Sequence, residues 1–383
     1  MKGTLPLLLV LALSACAAAS GGLSPGAQAL TADDVLRHSP LAEPGFAEID
    51  SVAILELSPA MAAFLDENVD RNGSENERLA QLVLAVVKGD RFSIAYDDST
   101  RSAASTFEIG RGNCLSFTSM FIAMARDLGL QAHYQEVEIP PDWSMSGEFF
   151  LLSQHVNAVV DIRNALSRVV DFNTYEFNAY NESRIISDRR ALAHYFNNIG
   201  AEQMLAGESA PALANLQKAL AEDPTFASAW VNLGILHRRE GYPAYAEAAY
   251  QEALELEKAN LLAMSNLASL YEEQGRPDLA ENYAVKVRAH RMKNPYYRYE
   301  LANLAFMEGD YKAAISNLKY ATRKRGEEDR FHYLLSLSYL MDGDREASRQ
   351  SMQRAEELAR QGKDRQKYHH KLDLLKALGP VPD

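Results

Sequence analysis

Three side chains of this sequence could together carry out acyl transfer: Cys114, His155 and Asp171. A thiol acts as a nucleophile in its thiolate form, and an adjacent imidazole can take its proton and later hand it to a leaving group. A carboxylate behind the ring fixes the tautomer and the orientation. Cys114 follows Gly110, Gly112 and Asn113, and it opens a run in which Phe117, Phe121, Met124, Ala125 and Leu128 have the spacing of an amphipathic helix stopped by Gly129. A cysteine in that position faces unpaired backbone N–H groups. They favour thiolate and can serve as oxyanion donors, the Cys114 N–H among them. His155 begins one β-type run, and Asp171 ends another, two residues before Asn173. Read singly, each residue has a plainer use: the cysteine as a small core residue, the histidine as a hydrogen-bonded strand residue, the aspartate as a turn acid. His133 is the rival imidazole and His194 a more distant one. One thiol and scattered histidines form no ligand set, so neither a metal nor a cofactor is expected.

The elements that must position these residues can be read in outline. Asn76 to Val87 reads as a helix and Arg91 to Tyr96 as a short strand. After the cysteine helix come three β-type runs, Ala132 to Ile139, His155 to Ile162 and Arg168 to Phe172. Pro140 and Pro141 break off the first, and the short Arg163–Ser167 connection makes the other two a hairpin. A helix opening at a cysteine is thus followed by a small antiparallel sheet, an α+β domain assigned to 46–188.

Residues 105–173 resemble the transglutaminase-like core, a papain-like thiol fold. The resemblance is carried by Gly112-Asn113-Cys114 with its helix to Leu130, by His155-Val-Asn-Ala-Val-Val and by Val169-Val-Asp171-Phe. Asn157 and Ala158 follow the histidine where the family often has an aromatic residue, and the loop Pro140–Leu152 is particular to this chain. The resemblance implies a thioester on Cys114, resolved by water in a peptidase or amidase, or by an amine in an acyl transferase. The residues do not choose between these.

The second half is repetitive. Gly207, Gly241, Gly275, Gly309 and Gly343 recur every 34 residues; Ile199, Leu233, Leu267, Leu301 and Leu335 stand eight before them. Ala212, Ala246, Ala280 and Ala314 stand five after the first four glycines, with Ser348 in the last repeat. Each glycine ends a first helix in a left-handed conformation, and each small residue admits close approach of the second helix. The pattern resembles the tetratricopeptide repeat (TPR), best in the second unit with Trp230, Leu233, Gly234, Ala246, Tyr250 and Ala253. Five repeats are assigned to 189–362, making an all-α TPR solenoid, and a polar capping helix and tail to 363–383. The resemblance implies a groove for a protein or peptide partner, lined here by Tyr296, Tyr299, Phe306 and Tyr333. Packing between repeats is an equal use for those rings.

The net charge of −13 lies wholly in the first half: residues 1–188 hold 12 Lys and Arg against 25 Asp and Glu, while residues 189–383 hold 27 of each. A surface this acidic disfavours nucleic acid and anionic headgroups. Lys2, the apolar Leu5 to Leu13 and Leu13-Ser14-Ala15-Cys16 resemble a bacterial lipoprotein signal, 1–16, with lipidation on Cys16 and a tether over 17–45. Ala17 after the cysteine fits outer-membrane sorting, with the protein facing the periplasm. Cys16 so modified leaves Cys114 as the lone thiol, in a compartment that damages idle thiols. The expectation is an envelope lipoprotein with thiol-dependent acyl-transfer activity, its TPRs recruiting substrate or partner. The competing expectation is a catalytically silent scaffold.

Overall fold

The computed structural model describes residues 30–42, 53–88, 95–137, 155–163, 165–172, 183–359, 368–369 and 371–373. The signal segment with Cys16, the loop Pro140–Leu152, Asn173 and most of the expected capping helix lie outside the described residues. Of that helix, 368–369 and 371–373 are helical.

The first described element is α1 (Ala32–Arg37), inside the segment read as a tether. Its start is a capping box in which the Thr31 and Asp34 side chains each bond the other's backbone N–H. Next come α2 (Pro59–Asn68), α3 (Glu75–Lys88), β1 (Ala95–Tyr96), α4 (Ala103–Ile109) and β2 (Arg111–Gly112), the two short strands pairing in parallel. They lead into α5 (Cys114–Asp127), which Gly129 ends with φ +74°.

A four-stranded antiparallel sheet follows: β3 (Gln131–Val137), β4 (His155–Asp161), β5 (Arg168–Val170) and β6 (Ser183–Ile186), in the order β5-β4-β3-β6. The hairpin of the second and third β-type runs is present as β4–β5. Ala132 and Tyr134 pair with Val160 and Ala158, and these residues share a core with α5. The cysteine helix is not amphipathic in use: every residue from Leu115 to Ala125 is buried. The sheet covers one side, and α2, α3 and α4 pack on the rest. Its polar residues are therefore all bonded internally; Ser119 Oγ donates to the Leu115 carbonyl and receives the Tyr134 hydroxyl at 2.9 Å.

The solenoid is five helix pairs: α6 (Asp188–Ala206) with α7 (Ser209–Glu222), α8 (Ala227–Arg239) with α9 (Pro243–Leu256), α10 (Leu261–Glu273) with α11 (Pro277–Arg291), α12 (Pro295–Met307) with α13 (Tyr311–Lys324), and α14 (Asp329–Asp342) with α15 (Arg345–Leu358). The five repeat glycines all have positive φ, between +66° and +93°. A second small position recurs as Gly200, Gly234, Ala268, Ala302 and Ser336. At Gly234 a Cβ would come within 2.4 Å of the Tyr250 ring, so the two helices of that pair meet only because the side chain is missing. One seam is poorly filled. Where the other second helices place Leu216, Tyr250, Leu318 and Met352, α11 has Ala284. Only Val287 of α11 is buried, and among the described residues the core of the first three repeats is separate from that of α12 to α14.

Helix α6 belongs to both domains. Ala191 lies in the core of the α+β domain, and Ala193 and Phe196 lie in that of the solenoid. The junction is pinned by ions. Glu136 of β3 accepts from His194 Nε2 at 2.5 Å, from Arg190 Nε at 2.9 Å and from Arg184 Nε at 2.6 Å, and Arg190 also reaches Asp223 at 3.0 Å. The segment around α1 is held by the solenoid as well. Val35 is buried there; Gln217 donates to the Leu36 carbonyl at 2.6 Å, and Ser39 Oγ lies 2.9 Å from His237 Nε2. No helix among the described residues is long and apolar enough to cross a membrane.

Candidate active site

The approach to Cys114 is built by close packing. Gly110 caps α4 in the left-handed region, and β2 then runs into the N-cap, Asn113. A Cβ on Gly112 would stand 2.7 Å from that of Ser116, so glycine is what lets the strand lie against the first turn of α5. Asn113 Oδ1 accepts from the Ser116 N–H at 3.0 Å, and its Nδ2 donates to Thr100 Oγ1 at 2.7 Å. The N–H groups of Cys114 and Leu115 precede any intrahelical acceptor, which leaves them available to an oxyanion. The thiol is half-buried and free.

The start of β4 is fixed beside this turn. The Thr118 hydroxyl, one turn beyond the cysteine, donates to the Val156 carbonyl at 3.1 Å. His155, 1% exposed, places Nε2 2.6 Å from Asp171 Oδ2, and the Cys114 thiol is near enough to help raise its pKa. With Nε2 so used, Nδ1 is the nitrogen for the sulfur. Burial alone would lower the imidazole pKa. Interactions with Asp171 and Cys114 outweigh that and raise it from 6.5 to about 10. Asp171 follows β5 directly, and its neighbour Phe172 packs on Phe117 and Phe121, with ring centroids 5.8 and 5.9 Å apart. The carboxylate is thereby tied to the helix that carries the thiol.

Asn157 was visible in the sequence only as a departure from the family pattern. In the structure it is fully buried and donates from Nδ2 to Asp171 Oδ2 at 3.0 Å, while its Oδ1 has no partner. The signal for it is strand periodicity, since position i+2 shares the face of His155. Asn157→Leu keeps the volume and removes the donor. It is expected to slow alkylation of Cys114 at pH 6 about tenfold, the size of one hydrogen bond to a charged group. An unchanged rate would reduce Asn157 to space filling.

Neither other histidine meets the thiol. His133 is only part-exposed and lies 3.6 Å from Asp161, while His194 is in the Glu136 cluster. No group of three or more His, Cys, Asp and Glu among the described residues could hold a metal ion. In the solenoid, Tyr299 stacks on the buried Phe331 at 5.0 Å and Tyr296 meets it edge-on at 5.5 Å. Phe306 contacts Tyr311 at 5.5 Å, and Tyr333 stacks on Tyr368 at 4.9 Å. All four rings are half-buried, with one side in an inter-helix seam.

Comparison with known proteins assigns both halves. Residues 63–189 match the model of the transglutaminase-like superfamily, and residues 204–259 and 299–363 match that of the tetratricopeptide repeat. The chain thus carries a transglutaminase-like domain followed by TPR repeats, and the unmatched stretch between the two repeat matches includes all of α11 with its underfilled seam. No curated protein matches the chain. Among solved structures, MamA protein is 18% identical over 44% of this chain and 91% of its own, with a TM-score of 0.25. YrrB, a TPR protein with an unusual peptide-binding site, is 20% identical over 47% and 91%, with a TM-score of 0.25. PilF of Pseudomonas aeruginosa is 17% identical over 51% and 96%, with a TM-score of 0.27. Likenesses of this size carry nothing about the ligands of this chain.

Proposed function

We propose that this transglutaminase-like domain is a thiol-dependent acyl-transfer enzyme acting on a protein or peptide, with Cys114 as nucleophile, His155 as acid and base, and Asp171 orienting His155. The observation that carries the reading is the placement of His155 between the Cys114 thiol and the Asp171 carboxylate, 2.6 Å from the latter. Cys114 Sγ attacks the substrate carbonyl, the oxygen taking up charge against the first-turn N–H groups of α5. The C–N or C–O bond then breaks, and His155 delivers a proton to the departing group. The thioester left on Cys114 is attacked by water or by an amine. His155 takes the attacker's proton, and Cys114 is released. No other reactant is needed. The TPR solenoid recruits the substrate or a partner protein, and lipid on Cys16 places the chain on the bacterial envelope, facing the periplasm.

The test presents the protein with peptide p-nitrophenyl esters and glutaminyl peptides, with and without a primary amine. Intact-mass measurement then follows any adduct on Cys114. An acyl adduct that is lost with Cys114→Ala supports the reading, and its partition between acid and amide products sets the acceptor. A chain that forms no adduct and whose thiol alkylates like a free one is a scaffold.

A further inference from the structure

The hydrogen-bonded structure around the nucleophile does not end within its own domain. Thr100, whose hydroxyl receives the Asn113 amide, donates its backbone N–H to Glu202 Oε1 at 2.9 Å. Glu202 is on α6, the first helix of the solenoid, 102 residues further along the chain. Thr100 thus links the two: its hydroxyl accepts from the Asn113 side chain, and its backbone N–H donates to Glu202. The other end of Asn113 holds the Ser116 N–H, and the next residue is Cys114. Burial pushes the Glu202 carboxyl up from the usual carboxylate range, and hydrogen bonding from Thr100 opposes that rise.

We infer that Glu202 is a positioning residue for Cys114, so that the first solenoid helix completes the active site. The inference rests on the reading of Cys114 as a nucleophile and adds to it the group that holds its helix in place. Asn113 has two polar ends, and both are needed to set the N-cap. One faces the helix, and the other is held through Thr100 by the solenoid. Ser99, which accepts the Asn113 N–H at 3.2 Å, adjoins Thr100, so the whole 99–101 segment moves with it. Withdrawal of the Glu202 carboxylate frees Thr100 and lets the first turn of α5 shift against His155. A partner that displaces α6 would act on the thiol by the same route.

The test uses the full chain with Glu202→Ala, Glu202→Gln and Thr100→Val, measured in two ways. Amide exchange over residues 99–117 reads the N-cap directly, whether or not the protein is an enzyme. Alkylation of Cys114 at pH 6 reads the consequence for the thiol. Glu202→Ala is expected to speed exchange of the Thr100 and Ser116 amides about tenfold and to slow alkylation by a similar factor, the loss of one charge-assisted hydrogen bond. Glu202→Gln keeps an acceptor oxygen and is expected to restore most of both. Thr100→Val leaves α6 untouched and is expected to reproduce the alkylation loss. Wild-type exchange at Ser116 in both Glu202→Ala and Thr100→Val overturns the inference. Faster exchange in the variants, combined with a wild-type thiol of ordinary reactivity, upholds the positioning of the helix start and removes the enzymatic reading alone.

Discussion

Replacing His155 with alanine is expected to slow iodoacetamide labelling of Cys114 at pH 6 about 100-fold, the usual scale of a positioned acid–base partner. The geometry gives the reason. An imidazole held between a thiol and a carboxylate is protonated in the fold up to pH about 10, so at pH 6 the sulfur faces a cation. The sign of the stability effect follows. The folded pKa lies above the unfolded 6.5, so the stabilisation is complete below 6.5 and disappears as pH rises through about 10. The wild-type protein is therefore expected to lose denaturation free energy between pH 7 and 10, and His155→Ala to show a flatter curve over that window. Labelling that rises with pH in the same way in both proteins would remove the ion pair.

The second large effect is expected at the domain junction. Glu136→Ala takes the carboxylate from the buried Arg190 Nε and His194 Nε2, leaving Arg190 only its Asp223 partner. It should cost about 3–5 kcal/mol in urea denaturation, the range found when one partner of a buried pair is removed. Two shifts act in the same direction with pH. Burial opposes the Glu136 charge, but His194, Arg190 and Arg184 hold its carboxyl well below the usual range, and burial keeps His194 below 6.5. A depressed carboxyl contributes stability above its unfolded pKa of about 4.5, which is lost as pH falls. A depressed histidine resists protonation as pH drops below 6.5. Both make the junction acid-labile, and loss of stability is expected from pH 6.5 downward. A denaturation midpoint constant from pH 7 to 4 would contradict this, as would a Glu136→Ala cost under about 1 kcal/mol.

The sequence revealed those features whose cause is local. A glycine every 34 residues needs a positive φ at each turn, and all five have one. Gly112-Asn113-Cys114 marks a close approach, a cap and the start of a buried helix in three letters, and the strand runs around His155 and Asp171 gave the hairpin. What was missed depends on contacts distant in sequence. β6 is four residues long, too short for alternation to register, and exists because β3 offers it an edge. The all-round burial of α5 follows from α2, α3 and α4 closing over it, which periodicity within α5 cannot report. Residues 30–42 look like part of a tether by composition, yet the solenoid supplies the Gln217, His237 and Tyr245 side chains that hold them. Asn157 and Glu202 are ordinary polar residues until folding brings Asp171 and Thr100 against them.

The alanine at position 284 has a mechanical consequence. A stacked array resists bending at each interface in proportion to the side-chain volume packed there, and its total compliance is dominated by the softest joint. Four of the five second helices fill that position with a large side chain, and α11 does not, so the array is expected to bend there, as two arms meeting at an elbow. The first arm ends in α6 and so is fixed to the domain of Cys114. The second carries Tyr296, Tyr299, Phe306 and Tyr333. Flexing at the elbow changes the reach between those rings and the thiol while leaving each arm intact.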